Sequence, residues 1–166
     1  MEDKRHWFAA YTKSRHEKVV KERLEKKGIV TFLPLVRQKS QWKDRIKEVE
    51  IPLIKSYIFV QEEARNLLYV LQTEGILNIV RIGEKYTLIP DFQIEALQKA
   101  LEERIHLEPA NYFTEGEKVR VLTGPLSGRI GLITKISGHS KLILKIDAIN
   151  FAFSTPVDPE NVEKFH

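Results

Sequence analysis

Five histidines, His6, His16, His106, His139 and His166, are the side chains of this sequence best suited to holding a metal or moving a proton, and their spacing argues against both. No two stand in the H-x-x-x-H arrangement that sets a pair of rings on one helix face. Cysteine is absent, which removes thiolate ligands, thiol nucleophiles and disulfides together. Neither a G-x-S-x-G elbow nor a P-loop occurs. No catalytic residue, metal ligand or cofactor is therefore expected, and the histidines read as structural or solvent-facing. What remains is charge. Residues 1–55 carry 15 Lys and Arg against 8 Asp and Glu, a balance of +7; residues 56–110 carry 5 against 9, a balance of −4; residues 111–166 carry 7 against 6. An excess of this size at one end of a domain suits a polyanion, although a solvated helix face reads the same way.

These residues have to be positioned by a chain of 166 residues, enough for one ordinary core or two small ones. With 42% hydrophobic and 30% charged residues it reads as globular, and no apolar run approaches the roughly 18 residues of a membrane span. The opening "MEDKRHWFAAY" lacks the apolar core and small-residue cleavage site of a signal peptide, so a cytoplasmic protein is expected.

"HWFAAYT" (6–12) predicts a strand. "SRHEKVVKERLEKKG" predicts a helix, with Ser14 and Glu17 at capping-box spacing, Val19, Val20 and Leu24 as its apolar stripe and Gly28 as its end. "IVTFLPLV" (29–36) and "IPLIKSYIFV" (51–60) alternate with period two, and predict the arms of a long hairpin whose tip, "RQKSQWKDRIKEVE", is basic and carries Trp42. A second helix is expected within 62–74, ended by Gly75, then strands around Gly83. The clearest helix is "PDFQIEALQKALEERI", with Asp91 as its cap. Strands and hairpins interleaved with helices predict an α+β sandwich, a mainly antiparallel sheet covered by helices.

Beyond residues 108–113, a linker in which Pro109 discourages further helix, the texture changes. "EKVRVLT", "GRIGLITKI", "SKLILKIDA" and "FAFSTPV" recur at the spacing of a small β-barrel. Gly116 stands where a positive φ is easily needed, Gly124, Pro125 and Gly128 turn the chain, and Gly131 within a strand permits a bend or a close backbone approach.

The glycines and aliphatic residues from Gly116 to Ile133, namely Gly116, Glu117, Val119, Val121, Gly124, Pro125, Gly128, Gly131 and Ile133, resemble the KOW motif, with Glu117 in place of its usual aspartate. Before them, "WFAAYTKSRHEKVVKERLEKKG", "PLIKSYIFV" and "LNIVRIG" resemble, in order, the NGN domain of the NusG family, and "STPVDPENVEKF" resembles that family's closing strand and tail. The resemblance covers nearly the whole chain. It implies an NGN-like domain over 1–107, a linker over 108–113 and an SH3-like KOW barrel over 114–166. The family's F-P-G-Y is replaced here by Ile54, Lys55, Ser56 and Tyr57, which resembles the specialised RfaH-like and UpxY-like antiterminators more than the general factor. Glu74 stands where RfaH-like proteins carry a basic residue, so their DNA target is not expected to carry over.

The resemblance implies a monomeric, non-enzymatic transcription elongation or antitermination factor. Tyr11 and Tyr57 would grip the clamp helices of RNA polymerase. Lys13, Arg15 and Lys18, with Lys39, Trp42, Lys43 and Arg45 of the hairpin, would meet upstream or non-template DNA, Trp42 stacking on an unpaired base. Leu126 and Phe151 would contact a small-subunit ribosomal protein or Rho. The alternative is a ribosome-associated or RNA-binding KOW protein, which leaves the first half of the chain unexplained.

Overall fold

The computed structural model describes residues 4–165; His166, one of the histidines expected to be structural or solvent-facing, lies outside them, as does the charged start Met1–Asp3. The architecture is α+β, and every strand pairing described is antiparallel. Two compact units divide between Leu88 and Ile89.

The N-terminal unit runs β1 (Arg5–Thr12), α1 (Glu17–Lys26), β2 (Val30–Phe32), β3 (Leu35–Trp42), β4 (Arg45–Pro52), β5 (Tyr57–Glu63), α2 (Leu67–Leu71), β6 (Ile76–Ile79), β7 (Arg81–Ile82) and β8 (Lys85–Tyr86). Four of these strands form one sheet in the order β2-β5-β1-β6, while β3–β4 and β7–β8 are separate two-stranded ribbons. Because side chains alternate across a strand, Phe8 and Ala10 share a face with Ile58, Val60 and Ile79. Val20 and Leu24, one turn apart on α1, and Leu67 and Val70 on α2 close over that face as a buried core. Gly75 makes the closure possible: its φ is +101°, and a Cβ there would stand 2.6 Å from Val20 Cγ2.

Several expectations are corrected here. Ser14 does not cap α1; His16 occupies that position without a side-chain cap, and Glu17 is the first helical residue. Arg15, at φ +64°, turns the chain between Ser14 and the helix. The second helix is only five residues long, because β5 continues through Glu62 and Glu63 to pair with His6 and Arg5. The hairpin exists, but its strands run through the polar segment rather than flanking it, with Lys43 and Asp44 alone forming the turn. Leu33 and Pro34 separate β2 from β3 where one strand was expected.

The C-terminal unit contains α3 (Asp91–Glu102), β9 (Glu108–Pro109), β10 (Glu117–Val121), β11 (Ile130–Ile136), β12 (His139–Ile146), β13 (Phe151–Pro156) and β14 (Val162–Lys164). Its six strands are ordered β14-β10-β11-β12-β13-β9. The four predicted strands are present, and two short ones are added: Glu108 and Pro109, expected in a linker, pair with Ser154 and Phe153, and Val162–Lys164 pairs with β10. Pro90, not Asp91, precedes the first turn of α3 as its cap residue. The Gln93 amide donates to Asp147 Oδ2 at 2.6 Å and accepts the Asp147 N–H at 3.1 Å, fixing α3 on the end of β12. Tyr112 donates its hydroxyl to the other carboxylate oxygen at 2.8 Å, and that bond, with burial and the nearby charge, raises the phenol above its ordinary range.

Gly116 is glycine for space, not for a positive φ: a Cβ there would sit 2.6 Å from the Ile133 carbonyl oxygen, and one on Gly131 would sit 2.9 Å from that of Ile143.

Candidate functional site

On the face of the four-stranded sheet opposite α1 and α2, register places Tyr57 beside Tyr11, and Phe59 between Ala9 and Phe32. Ala9 and Phe59 are fully buried, whereas Tyr11 is 41% exposed and Tyr57 and Phe32 are half-buried. The Tyr11 and Tyr57 rings lie 5.4 Å apart at 59°, and Phe32 stacks on Phe59 at 5.9 Å and 24°. The accessible part of this face is thus an aromatic end with two hydroxyls on it, well suited to packing against an apolar helix surface that also offers hydrogen bonds. Phe32 was missed from the sequence. Its signal was the alternation that pairs it with Phe59, hidden by reading 29–36 as one strand.

Tyr57 is held in place by its predecessors. Ser56 takes φ +66°, its carbonyl accepts the Thr12 N–H at 2.8 Å, and its own N–H donates to the buried Glu17 carboxylate at 3.0 Å. Glu17 therefore satisfies a strand, not its own helix. A buried backbone N–H without such a partner costs about 1–3 kcal/mol, so this contact fixes where β5 begins.

The seven residues expected to meet DNA do not form one cluster. Lys13 and Arg15 are exposed on the turn between β1 and α1. Lys18 donates to the Glu50 carbonyl at 2.5 Å, tying α1 to the base of the β3–β4 ribbon. That attachment lies five residues from Arg45, roughly 17 Å along a strand rising about 3.3 Å per residue. At the tip, Trp42 is 53% exposed, faces Arg45 across the ribbon, and has the Lys47 ammonium 5.3 Å from its ring centroid. Lys39 lies on the opposite side of the ribbon, directly across from Glu48, and Lys43 occupies the turn with φ +32°. Lys47 was not singled out from the sequence.

In the C-terminal unit Leu126 is buried at 7% exposure. Phe151 is half-buried, opposite Ile146, and stacks on Phe153 at 6.3 Å and 19°. Register gives Phe151 the face that also carries Leu142, Leu144 and buried Phe153, so its ring extends an interior row. Lys141 and Lys145 take the other face.

Among the described residues no three His, Asp or Glu side chains converge as metal ligands, and no helix is long and apolar enough to cross a membrane.

No curated protein matches the chain. Among solved structures, one described as "Domain interaction in Thermotoga maritima NusG" is 17% identical, covers 98% of each chain and superposes with a TM-score of 0.52, a likeness of fold. A second, the MjSpt4:Spt5 complex in conformation A, is 19% identical over 96% of this chain and 97% of its own, with a TM-score of 0.33. The family described as "Transcription termination factor nusG" matches residues 5–98, from the first residue of β1 into α3. That span exceeds half of the 166 residues and holds the aromatic end, the Glu17–Ser56 contact and the basic ribbon: this chain belongs to the NusG family of transcription factors.

Proposed function

We propose that the chain is a transcription elongation and antitermination factor that docks on the clamp helices of RNA polymerase through Tyr11 and Tyr57, acting at particular operons in the manner of RfaH-like and UpxY-like members. The observation that carries this reading is the Tyr11–Tyr57 pair, 5.4 Å apart, with Tyr11 exposed and Tyr57 half-buried at the end of a sheet whose remaining aromatic side chains are mostly buried. Lys13, Arg15 and Lys18, with the ribbon residues Trp42, Lys43 and Arg45, supply the cations and the stacking ring for upstream or non-template DNA.

The six-stranded C-terminal sheet is proposed as a KOW-type barrel that recruits a small-subunit ribosomal protein or Rho, with Leu126 and Phe151 at or beneath the contact. The family match over residues 5–98 supports the polymerase-binding role of the N-terminal part of the chain, and the barrel is read as residues 114–166 with Glu108 and Pro109 as its added edge strand. The factor works as a cytoplasmic monomer, without catalysis or cofactor.

Affinity purification of the tagged full-length chain, followed by quantitation of core polymerase subunits and ribosomal subunits, tests this reading. Stoichiometric recovery of core polymerase that survives nuclease treatment is expected. Recovery of ribosomal subunits with no polymerase would establish the alternative, a ribosome-associated RNA-binding protein.

A further inference from the structure

We infer that only one face of the β3–β4 ribbon, the face carrying Trp42, Arg45 and Lys47, takes an unpaired DNA strand, and that Lys39 on the opposite face takes no part. The inference rests on the reading that this ribbon lies beside DNA.

It follows from register. Trp42 faces Arg45, Ser40 faces Lys47 and Gln38 faces Val49 on one side, whereas Arg37 faces Glu50, Lys39 faces Glu48 and Gln41 faces Ile46 on the other. Directly opposed residues share a face. The second side therefore matches each cation with a carboxylate, and Arg37 reaches Glu50 at 4.0 Å. The first side has two cations and no carboxylate along the whole ribbon. In the turn, Lys43 and Asp44 cancel. All of the ribbon's net positive charge thus lies on the face that also presents the exposed indole.

An aromatic ring flanked by cations fits a strand with a free base: the base stacks on the ring and its phosphates take the cations. A duplex offers the phosphates but keeps its base faces stacked on one another, so the indole would have no role there. The Lys47 ammonium, 5.3 Å from the ring centroid, stands within reach of the phosphate of a nucleotide stacked on Trp42. The uncharged Gln38 and Ser40 continue the same face toward the base of the ribbon and place no carboxylate in the path of the next phosphate.

The test is fluorescence anisotropy of a labelled 12-nucleotide oligo-dT with the full-length chain over a salt series. Indole emission is recorded in parallel, because Trp7 is buried and quenching on stacking reports Trp42. Lys47→Glu should weaken binding roughly fivefold or more at low salt and flatten the salt dependence by about 0.7 in log–log slope, the share of one single-strand phosphate contact. Trp42→Ala should weaken it by roughly 5- to 100-fold and abolish the quenching. Lys39→Glu, equally exposed, should stay within about twofold of wild type.

Equal losses from Lys39→Glu and Lys47→Glu would overturn the choice of face while leaving the DNA reading intact. Absence of oligo-dT binding by the wild type, or binding indifferent to all three substitutions, would remove that reading as well. Tighter binding to duplex DNA, to oligo-rU or to phosphatidylserine vesicles than to oligo-dT would assign the face a different occupant and overturn the inference. Unchanged thermal melting of each variant excludes unfolding as the cause.

Discussion

In the four-stranded sheet of the N-terminal unit, Phe8, Ala9, Ala10, Ile58, Phe59 and Val60 are all fully buried, whereas the neighbouring β3–β4 ribbon leaves Trp42 and Ile46 at 53% and 65% exposure. Both are antiparallel, and the sheet's central strands, β1 and β5, are similar in length to the two strands of the ribbon. They differ in what covers them. The sheet is stabilised by apolar area removed from water beneath α1 and α2, at about 25 cal/mol per Å², and its side chains are constrained by packing. Toward its tip the ribbon is held mainly by backbone pairing and by cross-strand contacts worth about 0.2–1 kcal/mol each. Its side chains are consequently free to carry charge. The consequence for function is a division of labour: the rigid sheet presents the tyrosines in fixed geometry, and the uncovered ribbon presents the cations.

Substitutions that cost little in one region should cost much in the other. The largest effect is expected for Phe59→Ala, which removes a fully buried ring and its stacking contact with Phe32, at a cost of about 3–5 kcal/mol, read as a lower urea midpoint for the N-terminal unit. Next comes Glu17→Ala. It leaves the Ser56 N–H without its carboxylate, and a loss of about 1–3 kcal/mol should appear together with faster amide hydrogen exchange at Ser56. Smallest is Trp42→Ala: the indole's contacts with Lys47 and Arg45 are exposed, so stability should change by less than about 1 kcal/mol in the same denaturation experiment. A Trp42 variant as unstable as the Phe59 variant would erase the distinction between the two sheets.

The covered sheet was more legible in the sequence than the ribbon for the same physical reason. Burial on both faces forces a continuous apolar run, and "WFAA" and "YIFV" display one openly. The residues of the ribbon's tip are exposed, so "RQKSQWKDRIKEVE" needed no apolar alternation and passed for a connecting stretch although it is almost wholly strand. Its face assignment depends on the two-residue turn at Lys43 and Asp44, which fixes register. Without that turn, Lys39 and Lys47 look equivalent. Glu17 misled for a different reason: its spacing from Ser14 fits a capping box, but the Arg15 turn places Ser14 ahead of the cap position, and the carboxylate finds a donor 39 residues away. Tyr11 and Tyr57 were identified through family resemblance, and their pairing is what register supplies. Phe151 was placed on the correct strand, but which side of β13 it occupies depends on pairing with β12 that no local pattern discloses.

The most direct test of the account is the affinity of the Tyr11→Ala/Tyr57→Ala double variant for core RNA polymerase. Tyr11 is substantially exposed and Tyr57 half-buried, so the variant should retain the fold, checked by circular dichroism. Removing two aromatic anchors at the centre of an interface is expected to cost about 2 kcal/mol or more, roughly a thirtyfold or greater weakening at equilibrium. A folded double variant that binds core polymerase with wild-type affinity would contradict the assignment of this aromatic end as the polymerase dock.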